Sequence, residues 1–381
     1  MTVSGRERID TAVRLGKPDR VPYVPIIDLF ATRYGGITQH DLLYDVEKAD
    51  DALDNTLKAL GPIDGQNMSY AGLGRFLCLL TPNLPRIPGV DGIPAHEPWQ
   101  FVEKPVMEPH EYTEIEERGV LSWLVDKLRL NHPNLRTSSG LLRELAGLTG
   151  DNHAIARSVR RWRTRGVETL VASNFSFTPI EYISIHLRGF EGFTLDMYRH
   201  ADEIRAASRA VIGGTKVAGL VPMPINRVRR VFLGGARTGP GFMTPGQFEE
   251  LALPEWREMV EFYSGLGVTS ILHLDGDWTS FLHYFADFPA RSCIMNLDGA
   301  TDIRRAKELM DGRMCIMGDV PATLLKLGEP DEVDEYCRSL IADVGEGGGF
   351  ILSSGCSIPV DAKPANVAAV SKAAQRYGWY H

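Results

Sequence analysis

Short apolar runs rich in β-branched residues alternate along the chain with longer stretches in which apolar residues recur at every third or fourth position. The alternation is most regular from residue 120 onward. The short runs are typical of buried parallel strands, and the longer stretches have the period of helices that pack one face against a sheet. The predicted strands are 21–27, 66–70, 167–172, 217–221, 268–272, 292–297, 315–318 and 350–353.

Helix signals fall between these strands. Asp151 is a residue type that caps helix N-termini, and Thr244 precedes a proline, which favours the first position of a helix. Strands that alternate with helices in this way predict an α/β protein and favour a closed (β/α)8 TIM barrel, with a doubly wound open sheet as the alternative. The predicted helices are 5–15, 47–60, 119–130, 151–165, 201–212, 244–266 and one within 324–341.

Two segments do not follow the alternation. Residues 1–20 form an N-terminal extension with a short amphipathic helix, which the prolines at 18 and 22 should terminate. Residues 80–109 are rich in proline, so this excursion is expected to cross the barrel surface and to pack down through Trp99 and Phe101. No repeat or composition change divides the chain, so residues 1–381 are expected to form a single barrel domain.

Composition restricts the classes of function. The formal net charge is −8, whereas a nucleic-acid surface needs an excess of lysine and arginine; the arginines at 227, 229 and 230 are interpreted as a solvated face. No apolar run approaches the roughly 20 residues of a membrane span, and residues 1–20 are charged rather than signal-like. A cytoplasmic protein is therefore expected, and its five cysteines do not make a disulfide framework.

Candidate chemistry follows two of the predicted strands. The run 268–272 ends in His273 and Asp275, which share one face because side chains two apart on an extended backbone point the same way. The run 350–353 leads to Cys356. An imidazole, a carboxylate and a thiol at one strand-end face could hold zinc with its fourth position open. The alternatives are a structural histidine, a carboxylate that only orients it, and an inert cysteine.

Several motifs resemble the uroporphyrinogen decarboxylase superfamily. The segments that carry the resemblance are 17–22 (KPDRVP), 273–277 (HLDGD), 317–321 (MGDVP) and 347–356 (GGGFILSSGC), together with Asp298. The resemblance implies a TIM barrel of that superfamily and one of two chemistries. These are metal-free decarboxylation of uroporphyrinogen and zinc-dependent methyl transfer that involves a corrinoid protein.

The motif residues favour the methyltransferases. The decarboxylases share an arginine-rich loop after the first strand, where this chain has Asp28 and no paired arginines, and a Gly-His where it has Gly355-Cys356. The methyltransferases place a cysteine at that point and a His-x-Cys earlier, where this chain has His273-x-Asp275. A carboxylate donates less electron density than a thiolate, so the zinc should be more Lewis-acidic and suited to polarising an ether oxygen.

The resemblance therefore implies a zinc-dependent methyltransferase that moves a methyl group from a small methoxylated, aromatic substrate to a corrinoid (cobalamin) carried by a partner protein. This is O-demethylation, with His273, Asp275 and Cys356 as the zinc ligands. Two alternatives stay open: a uroporphyrinogen decarboxylase-type lyase that needs no metal, and a barrel that binds a tetrapyrrole or corrinoid without catalysis. A homodimer is also left open.

Further residues receive expected roles around that centre. Asp277 or Asp298 is expected to orient His273 through its other ring nitrogen. Glu181 is a candidate fourth zinc ligand that substrate displaces, or else an acid that favours the first turn of a helix. The expected substrate pocket is mostly apolar and is made of Asp28, Tyr70, Phe175, Phe177 and Trp278.

Overall fold

Strands and helices alternate along the chain in the computed structural model of the protein, which describes residues 3–68, 70–83 and 85–380. The strands are β1 (Gly65–Met68), β2 (Pro85–Arg86), β3 (Gln100–Phe101), β4 (Glu168–Ala172), β5 (Phe175–Phe177), β6 (Arg230–Gly235), β7 (Thr269–Leu274), β8 (Cys293–Leu297), β9 (Cys315–Val320) and β10 (Phe350–Ser354). The α-helices are α1 (Gly5–Val13), α2 (Asp28–Gly35), α3 (Gln39–Tyr44), α4 (Val46–Leu60), α5 (Gly74–Leu80), α6 (Glu111–Arg118), α7 (Val120–Asn131), α8 (Ser138–Thr164), α9 (Pro179–Tyr182), α10 (Phe190–Arg199), α11 (Ala201–Leu220), α12 (Met223–Asn226), α13 (Pro245–Gln247), α14 (Leu253–Gly265), α15 (Ile303–Leu309), α16 (Ala322–Leu327), α17 (Pro330–Leu340) and α18 (Pro364–Tyr377). Short 3₁₀-helices cover Pro133–Leu135 and Thr279–Phe285, and π-helices cover Ile183–Arg188, Phe248–Ala252 and Ile341–Gly345.

The longer strands close into a barrel. β5 to β10 form a parallel sheet in chain order, and β1 pairs with β4 in parallel. The extended segment 21–26 joins the two sheets, because Tyr23 pairs with Leu352 on β10 and its carbonyl accepts the N–H of Asp64 (2.9 Å) just before β1. β4 and β5 form one stave that is interrupted at Ser173, where φ is +60°. In the described part of the chain these elements make a (β/α)8 TIM barrel, which confirms the predicted fold class.

The fourth stave is not the predicted strand 217–221, which was wrong. Most of that run completes helix α11, because the helical spacing of buried positions continues through it. The fourth stave is β6, which begins at Arg230 in the stretch that the sequence placed on a solvated face. Arg230 is buried and pairs with Glu168 (3.2 Å) and Asp10 (2.6 Å). Paired charges let a strand begin with arginine at the closed end of the barrel.

Helix boundaries agree with the capping signals at one site and disagree at another. Thr244 caps the helical stretch that starts at α13, and its side chain accepts the N–H of Gln247, as predicted. Asp151 is not a cap: α8 begins at Ser138 with Thr137 as its cap, and Asp151 lies within the helix, paired with Arg75 (2.8 Å). None of the described helices is both long enough and apolar enough to cross a membrane.

The N-terminal extension closes one end of the barrel. Helix α1 begins with a hydrogen bond from Gly5 to the carbonyl of Gly166 (2.9 Å), which precedes β4. Its Ile9 packs with interior side chains such as Ile271 and Ile351 in one buried cluster. The opposite end of the barrel, at the carboxyl ends of the strands, therefore remains accessible. Barrel enzymes hold their active sites at that end.

The proline-rich excursion packs down over the accessible end, as predicted. β2 and β3 pair antiparallel within it. The ring of Trp99 contacts that of Tyr70 (centroids 5.7 Å apart), and the ring of Phe101 contacts His186 (4.9 Å). The excursion therefore supplies part of the wall of the cavity described below.

Candidate metal centre

Three electron-pair donors meet at the carboxyl ends of β7 and β10. His273 Nε2 lies 3.1 Å from Asp275 Oδ1 and 3.6 Å from Cys356 Sγ, and all three donor atoms lie within 4.8 Å of one another. Burial would lower the pKa of His273, but the contacts with Asp275 and Cys356 outweigh it and raise this pKa well above its usual value. The three side chains thus favour a positive charge between them, which a divalent cation also supplies.

A tetrahedral zinc ion fits these separations. Zinc lies about 2.0–2.1 Å from an imidazole nitrogen or carboxylate oxygen and about 2.3 Å from a thiolate sulfur. Tetrahedral angles then place the nitrogen about 3.6 Å from the sulfur and about 3.3 Å from the oxygen, compared with 3.6 Å and 3.1 Å here. Three protein ligands leave one position open, as in catalytic zinc sites.

Asn296 fixes the ring of His273 in the orientation that a ligand needs. The Asn296 amide donates to the carbonyl of Met317 (3.3 Å), so its Oδ1 faces Nδ1 of His273 (2.6 Å). His273 Nδ1 therefore donates its hydrogen to Asn296, and Nε2, which faces Asp275 and Cys356, is the nitrogen left to bind a metal once its own proton is displaced. The sequence reasoning missed Asn296, although it lies directly opposite His273 on the neighbouring strand. Only knowledge of the strand register could have found it.

Asp277 and Asp298, which were expected to orient His273, have other partners, and that expectation is corrected. The carboxylate of Asp298 accepts the N–H of Gly276 (2.7 Å), and that of Asp277 accepts the N–H of Thr279 (2.9 Å). Both acids satisfy backbone groups of the turn that follows β7. They hold the loop that carries Asp275 instead of contacting the imidazole.

Cys356 reaches His273 because Gly355 lets two loops approach closely. A Cβ atom built on Gly355 would lie 2.4 Å from the carbonyl oxygen of Asp298 and 2.8 Å from its Cα. Gly355 also donates its N–H to the carbonyl of Val320 (3.0 Å) at the end of β9. The glycine therefore sets the position of the sulfur through backbone packing.

An apolar cavity of about 330 Å³ lies against the three donors and has the size of a small-molecule site. The structure places the predicted pocket residues Tyr70, Phe175 and Phe177 on its wall. Of the described residues that line it, none is lysine or arginine. Its other phenylalanine, tyrosine and tryptophan side chains are Phe76, Trp99, Phe101, Tyr182 and Phe232.

Two residues expected in the pocket support it from behind instead. Trp278 is fully buried outside the cavity lining, and its Nε1 donates to the carbonyl of Asp275 (2.9 Å). Asp28 is buried too, and its Oδ2 accepts the N–H of Tyr70 (2.7 Å). The indole thus helps to position Asp275, and the carboxylate helps to position Tyr70. The structure therefore does not place these two predicted residues on the wall of the cavity.

The expectation that Glu181 is a fourth zinc ligand is also corrected. Its carboxylate is fully buried and accepts the N–H groups of Arg237 (2.9 Å) and Thr238 (3.0 Å) and the Thr238 hydroxyl (2.7 Å). It holds the loop after β6 and is not part of the His273 cluster. Burial raises the pKa of Glu181 to about 7.

A second buried acid, Glu255, lies beside Glu181 and makes stability depend on pH. Burial, with the added repulsion of Glu181, raises the pKa of Glu255 to about 8 from about 4.5. Between these values the folded state holds a proton that the unfolded state has lost, so the free energy of unfolding should fall as pH rises. Glu255→Gln keeps an acceptor for the Ile180 N–H and removes the titration. We expect the wild type to lose about 1.5 kcal/mol more than this variant between pH 6.5 and 8 in urea unfolding.

Comparing the loss of unfolding free energy in the two proteins isolates the titration of Glu255, since both proteins share the other titrating groups. Equal losses in the two proteins would show that Glu255 is already ionised at pH 6.5.

His186 is a cavity residue that the sequence reasoning missed. Asn83 donates its amide to the carbonyl of Ile185 (3.1 Å), so its Oδ1 accepts from Nδ1 of His186 (3.1 Å). Nε2 of His186 then carries the lone pair, and it has no hydrogen-bond partner among the described residues. Burial, and then the charge of Arg237, lowers the pKa of His186 to about 3, so the ring is neutral near pH 7.

Comparison with known proteins bears on the fold and on the family resemblance. The family model for uroporphyrinogen decarboxylase (URO-D) matches residues 229–377, the part that holds β6 to β10. Methylcobamide:CoM methyltransferase MtbA from Methanosarcina acetivorans is 28% identical over 130 residues, which cover 34% of this chain and 37% of that protein. The solved structure of a methyltransferase from Methanosarcina mazei superposes with a TM-score of 0.71 at 14% identity and covers 99% of both chains. These findings confirm the predicted resemblance and the barrel fold.

Proposed function

We propose that this chain is a zinc-dependent O-demethylase of the uroporphyrinogen decarboxylase superfamily, because residues 229–377 match that family model and a relative, MtbA, is a methyltransferase. It moves the methyl group of a methoxylated aromatic to the corrinoid (cobalamin) of a partner protein, with residues 1–381 acting as one barrel. The observation that carries the proposal is the His273–Asp275–Cys356 group at the edge of an aromatic cavity. A single wall thus offers metal ligands and stacking surfaces to one small molecule.

His273, Asp275 and Cys356 would hold the zinc. Zinc bound there would supply Lewis-acid chemistry toward the ether oxygen of the substrate. With one sulfur and one carboxylate, the ligand set leaves the ion more electrophilic than a sulfur-rich set would. Asn296 keeps the imidazole in the tautomer that binds metal through Nε2.

The cavity residues would place the methyl carbon at the mouth of the barrel. Aromatic rings such as Phe177 and Phe232 offer faces and edges to the substrate ring. Burial raises the pKa of Tyr70 far above its usual value, so its hydroxyl stays neutral beside the centre. In the proposed reaction the methyl carbon–oxygen bond would break and leave its electron pair on the phenolate oxygen, while the reduced corrinoid of the partner protein, as the methyl acceptor, would supply the electron pair of the new bond to carbon.

The charge of the cavity weighs against the lyase alternative. Uroporphyrinogen bears eight carboxylates, which call for a cationic pocket. The lining described above has Asp275 and two histidines as its titratable groups besides tyrosine and cysteine, with His186 neutral near pH 7. Turnover of uroporphyrinogen by protein treated with a chelator would nevertheless support the lyase.

The proposal is tested by metal analysis and by a methyl-transfer assay. The purified protein should contain about one zinc per chain, a prediction that elemental analysis checks. With a reduced corrinoid protein and a methoxylated phenol, the absorbance of the corrinoid should change to that of its methylated form, and the demethylated phenol should accumulate. Tight corrinoid binding without turnover of any methoxylated aromatic would support the non-catalytic alternative.

His186 should make the enzyme prefer substrates with a hydrogen-bond donor on the ring. His186 lines the cavity and its Nε2 is unpaired and almost fully buried, so a phenolic hydroxyl that reaches it would fill a vacant hydrogen bond, and a buried acceptor left unpaired costs about 1–3 kcal/mol. The wild type should therefore favour a methoxyphenol over the matching dimethoxybenzene by roughly tenfold in kcat/KM. His186→Phe should abolish this preference through KM while kcat for the dimethoxy compound stays unchanged. A preference that survives in His186→Phe would assign the contact to another residue.

A further inference from the structure

The cavity continues away from the metal centre into an arm between two outer helices. We define the arm by its lining, which on α11 comprises four positions spaced as one helical face. The opposing side comes from α7. The lining residues are Val211, Gly214, Thr215 and Ala218 on α11, with Val120, Leu121 and Leu124 on α7.

The arm reaches the protein surface. Gly214 is exposed although it lines the cavity, and the side chain of Leu121 on the opposite helix is 73% exposed. A Cβ atom built on Gly213 or Gly214 would have no described atom within 4 Å. Glycine in a helix interior destabilises by roughly 1 kcal/mol relative to alanine. The two glycines therefore leave this point of α11 open, although they lower the helix propensity there.

The polar side chains of the arm are turned away from it. Thr215 donates its hydroxyl to the carbonyl of Ile212 (3.0 Å), and Ser176, on the adjoining strand β5, donates to the carbonyl of Thr215 (2.6 Å). What the arm offers to a ligand is consequently alkyl surface. Such surface recognises apolar groups in proportion to the area that is buried.

We propose that the arm binds an apolar substituent of the substrate, so that the substrate class is methoxylated aromatics carrying an alkyl or aryl chain. This inference rests on the proposed function, in which the corrinoid protein must approach the methyl carbon at the barrel mouth. A long substituent then needs a second way out, and the arm gives it a lateral route to solvent. The ring lies between the metal centre and the arm, in the aromatic part of the cavity.

Neighbouring glycines provide a matched pair of variants. Gly214→Leu places a side chain in the arm, whereas Gly213→Leu makes the same change in helix propensity at an exposed position outside the cavity lining. For wild type and Gly213→Leu, kcat/KM for 4-alkyl-2-methoxyphenols should rise about three- to fourfold per methylene over the first few carbons. Gly214→Leu should remove that dependence and leave the unsubstituted 2-methoxyphenol unaffected. Ala218→Leu, one helical turn further on, tests the same arm if Gly214→Leu does not fold.

Calorimetric binding of the same phenols, measured alongside turnover, separates this inference from the proposed function. Affinity that rises with chain length in Gly213→Leu and not in Gly214→Leu, without any demethylation, would leave the arm standing and overturn the demethylase. Demethylation without a chain-length effect in the wild type would overturn the arm alone. Identical behaviour of the two leucine variants would also overturn it.

Discussion

Cys356→Ala is expected to remove both the bound zinc and the methyl-transfer activity. The sulfur is one of three donor atoms within 4.8 Å of one another, and two remaining ligands fall short of the three protein ligands that catalytic zinc sites use. Removing a residue behind a ligand already costs roughly 10- to 100-fold in metal affinity or activity, so loss of a direct ligand should exceed that range. Zinc content and single-turnover methylation of the corrinoid protein measure the two effects.

Cys78→Ala is the matched control for this substitution. Cys78 is the other cysteine of intermediate exposure in the described chain, and it lies on α5 outside the cavity lining. The control should keep its zinc and its activity. Retention of zinc by Cys356→Ala would contradict the ligand assignment, and full activity without zinc would contradict the proposed function.

Gly355→Ala is expected to disrupt the centre without touching any of its donor atoms. The new methyl group would sit 2.4 Å from the backbone oxygen of Asp298, and backbone cannot move aside as a flexible side chain can. The loop that carries Cys356 must therefore shift, and a displacement of about 1 Å can cost on the order of 100-fold in rate. We also expect a loss of about 1–3 kcal/mol in the free energy of unfolding, as for overpacked interiors.

Gly246→Ala is the corresponding control, because a Cβ atom there meets no described atom within 4 Å. It should leave zinc content, activity and the urea midpoint close to those of the wild type. If Gly355→Ala kept full zinc content and activity, the position of Cys356 would not depend on the close approach of the two loops.

Most of the fold could be predicted from the sequence, because the spacing of apolar residues within a helix or a strand depends only on that stretch of the chain. Strand and helix alternation identified seven of the eight staves. The predicted run 350–353 differs from β10 by one residue, and the run 268–272 shares four residues with β7. The fourth stave was misplaced because an apolar run at the end of α11 resembles a strand, while β6 begins with a charged residue. Arg230 is buried there through partners that are remote in sequence, and no local pattern reports such pairing.

The candidate site, too, was predicted in part from the sequence and in part only seen in the structure. The spacing of His273 and Asp275 placed both on one face, and the resemblance carried by residues 347–356 pointed to Cys356. The supporting residues were assigned less well. Acids near the site were expected to orient the imidazole, yet Asn296 does so from the neighbouring strand.

The sequence alone determined which chemical groups stand at the strand ends, because strand period and chain order fix which side chains leave a barrel at its open end. Only the tertiary structure decided which of those groups meet. Contacts such as Asn296 with His273, or Gly355 with Asp298, depend on register and loop packing between segments far apart in the chain. Those distances follow from how the whole barrel closes, which no local stretch of residues encodes.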